Sequence, residues 1–374
     1  MGSLTSLTQL DLSCLGIEKL LESIGSLKEL VTLNAFDCAS LTCIPCSIGH
    51  LVSLRRLLLR ECWSLREVPA SIGKLASFVE MDLKSTVIRE LPESIGSLTE
   101  LKTLDTSSCA LLAHILSSIV HLASLRRLLL GGCCLLQEIP NLIIQLASLT
   151  VLDLKSTKIL ELFECIGSLK ELETLDVFNC ALLAHIPSSI GLFASLTLFD
   201  LSRCNNLAQL PDSIGSLVSL QHLLLQGCYL LREIPDSIGN LTSLIVLDLK
   251  STAIVELLES IGSLKELKTL DVSCCASLAC IPSSIGHLTS LTLLDLRFSL
   301  KLAQLLDSIE CQLLKEIPDS IGKLASLTAL DLKSTALVEL PRSIENLQNL
   351  RILDIRGTHV TLPETFEILQ NVEI

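Results

Sequence analysis

Apolar residues recur along this chain at coil length. Laid above one another, residues 27–50, 51–74, 122–145, 169–192, 217–240 and 264–287 follow, with departures at a few positions, the pattern LxxLxxLxLxxCxxLxx(I/V/L)PxSIGx, 24 residues long. A 23-residue sister form begins at Leu75, Leu146, Leu241 and Leu324 and carries Lys-Ser-Thr where the long form ends in Cys. Fifteen strand-bearing units follow, starting at residues 4, 27, 51, 75, 98, 122, 146, 169, 193, 217, 241, 264, 288, 324 and 347. In the central LxL, period-two alternation sends Leu57 and Leu59 inward and leaves Arg56, Leu58 and Arg60 outward, as in a strand. The chain then turns at Cys or Thr, buries the next Leu, passes an Ile-Pro step and turns again, as a short turn or helix, at Ser-Ile-Gly. Proline has no N–H to continue the pairing there, and glycine tolerates the turn. One such coil cannot bury its leucines alone, so at least about three must stack.

A slower rhythm lies above the coil. Lys-Ser-Thr recurs at 84–86, 155–157, 250–252 and 333–335, separations of 71, 95 and 83 residues that mark block duplication. The third block is 12 residues short of the second: Asp307-Ser308-Ile309-Glu310 runs directly into Cys311, whereas Asp212-Ser213-Ile214-Gly215 reaches Cys228 through a full strand. Residues 288–323 are therefore expected to form one irregular coil with an enlarged outer loop near 303–316. Leaving out a coil would expose apolar edges and unpaired strand groups on both neighbours. The sheet is expected to pass directly from Leu294 and Leu296 to Leu330 and Leu332.

The predicted fold class is α/β: a right-handed leucine-rich-repeat solenoid, a horseshoe with a parallel β-sheet on its concave face and short turns or helices on its convex face. It forms a single domain over 1–374, with 347–374 as a C-terminal capping unit. Composition agrees, since hydrophobic residues make up 49% of the chain and aromatics 3%, so Leu and Ile must fill a layered core. Mean hydropathy is +0.59, yet no stretch of about 18 uninterrupted apolar residues exists for a membrane helix. Met1-Gly2-Ser3-Leu4-Thr5 lacks a basic region followed by an apolar run, so no secretory signal is read. A net charge of −13 argues against nucleic acid as a partner.

Eight of the 16 cysteines, Cys38, Cys62, Cys109, Cys133, Cys180, Cys204, Cys228 and Cys275, share one repeat position just after the strand. A metal or redox ladder and a column of small buried side chains both fit. Thr86, Thr157, Thr252 and Thr335 take the same place in the short units, which favours burial. A column of reduced thiols suits a reducing compartment, so a cytoplasmic location is expected. Cys43 and Cys46 have the spacing of half a zinc site, but no second such pair follows. His114 and His185 are repeat equivalents, as are His50, His121 and His287. No unique nucleophile with an orienting base, no phosphate-binding GxxxxGK[ST] loop, no metal site and no cofactor site is read, and the chain is not expected to be an enzyme.

The outward strand positions carry the binding chemistry. Their middle column reads Asp11, Asn34, Leu58, Asp82, Asp105, Leu129, Asp153, Asp176, Asp200, Leu224, Asp248, Asp271, Asp295, Asp331 and Asp354. Carboxylates at sheet spacing repel by about 0.8 kcal/mol per neighbouring pair in bulk-water dielectric, before salt screening. Lys84, Lys155, Lys250 and Lys333 are placed to offset part of that. Either Asp is a consensus residue of the repeat, or the column makes an acidic concave face, interrupted by Leu58, Leu129 and Leu224, that suits a basic, partly apolar protein. On the second reading Asp82, Asp153, Asp176, Asp200, Asp248, Asp271 and Asp295 face the partner. The large residues Phe36, Arg56, Arg60, Arg127, Phe178 and Arg297 would then be its hot spots.

The alternation of LxxLxxLxLxxCxxLxxIPxSIGxL with LDLKSTxIxELPxSIGxL resembles the repeat region of plant intracellular disease-resistance receptors of the nucleotide-binding, leucine-rich-repeat family. The resemblance covers Leu4 to about Leu369 and implies a role in sensing pathogen effectors or in holding a receptor inactive. The nucleotide-binding and signalling domains of that family have no counterpart in this sequence, so a separate nucleotide-binding domain is an implied partner and switching is not carried over. Met1 lies inside the repeat register without a polar cap, which is expected of a fragment. The LPxSIGxL ending is also similar to stand-alone intracellular scaffolds, the plant Ras-group-related repeat proteins. The IPxxIGxL phrase is similar to extracellular receptor ectodomains, for which Asn240-Leu241-Thr242 is the single glycosylation sequon.

Overall fold

A computed structural model describes residues 6–298 and 314–361. The chain divides into two compact units, 1–180 and 181–374. In the first, eight three-residue strands follow one another in parallel, each hydrogen-bonded to the next in chain order: β1 (Gln9–Asp11), β2 (Thr32–Asn34), β3 (Arg56–Leu58), β4 (Glu80–Asp82), β5 (Thr103–Asp105), β6 (Arg127–Leu129), β7 (Val151–Asp153) and β8 (Thr174–Asp176). The second repeats the arrangement with β9 (Leu198–Asp200), β10 (His222–Leu224), β11 (Val246–Asp248), β12 (Thr269–Asp271), β13 (Leu293–Asp295), β14 (Ala329–Asp331) and β15 (Ile352–Asp354). Each unit is a leucine-rich-repeat solenoid. Where it is described, the return side of a coil is a short 3-10 turn, and no α-helix occurs among the described residues.

The strands are short because pairing continues past them in a turn. The N–H of Leu59 donates to the Asp82 carbonyl at 2.8 Å, and that of Glu61 donates to the Lys84 carbonyl at 2.8 Å. Glu61 has a φ of 64°, and a left-handed residue precedes the Cys or Thr in coil after coil, including Ser85, Ser156, Arg203 and Ser251, with Phe298 at the equivalent place. Such a conformation costs a non-glycine residue on the order of 1 kcal/mol and persists where surrounding bonds over-determine it. Here the hydrogen bond from each of these N–H groups to the next coil holds it. Gly132 and Gly227, at φ 79° and 74°, occupy the same place without that cost.

Core residues form columns. Leu54, Leu57, Leu59, Cys62, Leu65 and Ile72 of one coil are all buried, as are Leu220, Leu223, Leu225, Cys228, Leu231 and Ile238 of another. Most of the 3-10 turns begin after an extended proline, as at Pro235 (φ −66°, ψ 150°), and bury the isoleucine of Ser-Ile-Gly. Glycine is required there by the neighbouring coil. A Cβ on Gly262 would lie 2.6 Å from both the Cβ and the carbonyl oxygen of Ser284. The spacing between turns is set by this absent side chain.

At the shortened block, β13 pairs directly with β14, with Leu294 opposite Leu330 and Asp295 opposite Asp331. Residues 303–313 of the enlarged loop expected there, and residues 362–374 of the expected capping unit, lie outside the described residues.

Candidate functional site

The Asp column is built by the turn that follows each strand. Oδ1 of Asp82 accepts the Lys84 backbone N–H at 3.0 Å, and Asp105, Asp153 and Asp176 accept from Ser107, Lys155 and Phe178 at 2.8, 3.0 and 2.9 Å. In the second unit Asp200, Asp248, Asp271 and Asp295 accept from Ser202, Lys250, Ser273 and Arg297 at 2.9, 2.9, 2.8 and 3.1 Å. Asn34 does the same for Phe36 at 3.0 Å. A short side chain accepting an N–H two residues ahead is an Asx turn, which satisfies a donor the ladder leaves over. The recurring Asp therefore has a structural job in each coil that carries it, whatever it presents outward. The sequence carried this signal in the two-residue offset from Asp to Lys or Ser.

Stacking these carboxylates has an electrostatic consequence. Asp82 opposes Asp105, Asp248 opposes Asp271, and Asp271 opposes Asp295 across paired strands. Burial, followed by the neighbouring aspartate, pushes the carboxyls of Asp82 and Asp248 above their ordinary value, against the lowering pull of the Lys84 and Lys250 N–H groups. Asp295 is 5% exposed, and burial together with Asp271 raises it to about 6 although Arg297 pulls it down.

The compensation expected from four lysines is narrower in the structure. Lys155 Nζ lies 3.0 Å from Asp153 Oδ2, but Lys84 and Lys250 form no ion pair among the described residues, and Lys333 sits 5.4 Å over the exposed Phe298 ring. Instead Arg297 bridges β13 and β14, reaching Asp295 at 2.9 Å and Asp331 at 3.6 Å. A four-carbon lysine stem leaves its charge in water unless geometry favours contact, whereas the planar guanidinium spans two carboxylates. Sequence reasoning missed Phe298, because a bulky residue at a left-handed position is not suggested by its neighbours.

In the first unit the outer sheet face places Arg56, Asp82, Arg127 and Asp153 on β3, β4, β6 and β7, with Phe36, Arg60 and Phe178 just beyond strand ends. Arg56 is tied to Glu80 at 2.6 Å and Arg60 to Glu61 at 3.1 Å, so neither is an unpaired cation. Arg127 is exposed and has no ion pair among the described residues. Phe36 and Phe178 are half-buried. Asp153 is 8% exposed, so it and Asp295 present carboxylate edges rather than free side chains. In the second unit Asp200, Asp248, Asp271, Asp295 and Arg297 share the corresponding face.

All eight cysteines of the column are buried. Each thiol described donates backward: Cys62 Sγ to the Ala35 carbonyl at 3.1 Å, Cys133 to Thr106 at 3.2 Å, Cys228 to Leu201 at 3.2 Å. Thr86 instead donates to the Leu83 carbonyl of its own coil at 2.8 Å and lies 3.2 Å from the next thiol, Cys109 Sγ. Cys and Thr thus satisfy the same carbonyls by different reaches. Burial pushes the Cys133 and Cys228 thiols up to about 12, so they stay protonated and poor as nucleophiles or metal ligands. Among the described residues no cluster of three or more His, Cys, Asp or Glu could hold a metal ion, and no helix is long and apolar enough to cross a membrane.

Residues 192–308 match a family model described as a leucine-rich repeat region. Residues 50–153 match one described as the leucine-rich repeats of a disease resistance protein RPS4B-like family. No curated protein matches the chain. Among solved structures, a leucine-rich-repeat protein of Leptospira interrogans is similar at 24% identity and a TM-score of 0.68, covering 100% of this chain and 96% of that one. Toll in complex with Spatzle from Drosophila is similar at 21% identity and a TM-score of 0.73, over 90% of this chain and 45% of that one. The functional domain of InlJ from Listeria monocytogenes, which includes a cysteine ladder, is similar at 19% identity and a TM-score of 0.61, over 96% and 65%. These likenesses establish the fold, and the chain carries a leucine-rich-repeat region.

Proposed function

We propose that this chain is a non-catalytic protein-binding array whose partner seats on the outer face of the strands. The observation that carries this reading is the repetition of one surface, coil after coil, with carboxylates fixed by Asx turns and set between arginines and half-buried phenylalanines. Side chains already held by backbone hydrogen bonds lose little freedom on association, which favours binding without new chemistry. The raised carboxyls of Asp82, Asp248 and Asp295 favour a basic partner, because a nearby cation relieves the repulsion between stacked acids.

Alternation of Cys-type and Thr-type coils, together with the RPS4B-like match over 50–153, supports a role in a plant immune receptor, as its effector-sensing or autoinhibitory repeat region. A column of reduced thiols supports a cytoplasmic setting for that role. The test is affinity capture from lysate of the source organism with the wild-type chain and with D153N/D176N/D200N. Asn keeps the Asx turn, as Asn34 does, so folding is retained and only charge is lost. Capture of the main partner is expected to fall about tenfold. Equal capture by both proteins overturns the assignment of the strand face.

A further inference from the structure

In three consecutive coils of the first unit the Ser-Ile-Gly turn is rewritten. Val120 replaces the glycine of one turn, Leu142 and Ile144 replace serine and glycine in the next, and Phe163 and Cys165 replace proline and serine in the third. The changes are paired: where the glycine is lost, the small serine that packs on it in the following coil is lost as well. The last of these turns contracts to Ile166–Ser168, preceded by Cys165 at φ −95° and ψ 8° instead of an extended proline.

Beside these turns the flank of the solenoid opens into a groove of about 780 Å³ that runs from Ala113 to Glu164. The equivalent flank of the second unit, where the motif is intact, holds about 500 Å³ between His185 and Leu258. The enlarged groove presents Leu135, Leu160 and Phe163, with Leu135 45% and Leu160 55% exposed. Around them stand the exposed carboxylates of Glu138, Glu161 and Glu164, none of which forms an ion pair among the described residues. Uncovered aliphatic surface ringed by unpaired charge of one sign is the signature of a docking site, with the ring specifying the charge of the occupant.

We infer that this flank groove is a second binding surface, separate from the strand face, for a short segment of a partner protein that combines aliphatic residues with Lys or Arg. The aliphatic side chains cover Leu135, Leu160 and Phe163, and the cations meet the three glutamates. Acidic or purely polar segments leave either the carboxylates or the leucines uncompensated.

The probe is a fluorescein-labelled ten-residue peptide of alternating Leu and Lys, compared with alternating Leu and Glu and with alternating Ser and Lys, read by fluorescence anisotropy. The Leu/Lys peptide is expected to bind at least about tenfold more tightly than either control. E138Q/E161Q/E164Q is expected to weaken it about tenfold, and L135S/L160S several-fold. D82N/D105N/D176N removes the same charge from the strand face of this unit and is expected to change affinity less than about twofold. Failure of the Leu/Lys peptide to bind, binding of the Ser/Lys peptide equally well, or equal losses in the two charge-neutralised variants overturns the inference. All substituted side chains are exposed or half-buried, and circular dichroism verifies that each variant is folded.

Discussion

Gly262→Ala destabilises the second unit by about 2–3 kcal/mol, while Gly16→Ala leaves stability unchanged within about 0.5 kcal/mol. The added methyl at 262 would sit 2.6 Å from the Ser284 backbone oxygen and Cβ, closer than carbon and oxygen approach one another, so the turn 283–287 must move. That turn is buried and anchored: Ser284 donates its N–H to Glu259 at 2.9 Å, and Gly286 is packed in turn against Ser320. Relief at one interface therefore passes strain to the next, as expected in an array whose stability is a sum over neighbours. At Gly16 nothing lies within 4 Å of the new methyl. Urea titration followed by circular dichroism checks the pair. Equal midpoints for wild type and G262A would show that the turns are not in contact at this spacing.

Asp295→Asn is expected to stabilise the protein at pH 7 by on the order of 2 kcal/mol, and to leave it unchanged near pH 3. Folding raises this carboxyl to about 6 from an ordinary value of 3.8, so the native state binds the proton more tightly than the unfolded chain. Below about pH 3 both states are protonated and no penalty exists. As pH rises through the window to 6 the unfolded carboxyl ionises first, and native stability falls until the folded group ionises too. The substituted amide would keep the acceptor for the Arg297 N–H, as Asn34 does for Phe36, and removes the charge that Asp271 and Asp331 repel. Thermal melts of both proteins at pH 3, 4, 5, 6 and 7 provide the measurement. Parallel melting curves across that range contradict the raised carboxyl.

The inward and outward assignments of Leu57, Leu59, Arg56 and Arg60 were legible in the sequence, because period-two alternation leaves one solution when a face must be buried. So was the pairing of Leu294 with Leu330, since counting residues between Ser-Ile-Gly turns shows where a strand is missing. Less legible was the Asp column. Its spacing to Lys84 or Ser107 was in plain view, but the Asx turn leads into a left-handed residue, which no local preference of Ser85 or Ser108 announces. The contact between Gly262 and Ser284 joins residues a whole coil apart and exists only after stacking. Partnering of Arg56 with Glu80 depends likewise on register across strands. The groove beside Glu161 lies next to turns in which Val120, Leu142, Ile144 and Cys165 depart from the repeat pattern, and its volume depends on how those turns stack.

A binding face made of strands requires that successive coils lie on one another closely enough to seal the column just after the strands, and the cysteines report on this coil by coil. Brief treatment of the native chain with iodoacetamide, followed by unfolding, a second isotopic label and mass spectrometry, measures each thiol separately. Cys14, Cys46, Cys134, Cys165 and Cys280 are exposed and take the first label. Cys62, Cys133, Cys228 and Cys275, buried and pushed to about 11 or 12, are expected to react at least about a hundredfold more slowly and to carry the second. First-label incorporation at these four sites at the rate of the exposed five, without denaturant, would contradict the stacked architecture on which the binding face is built.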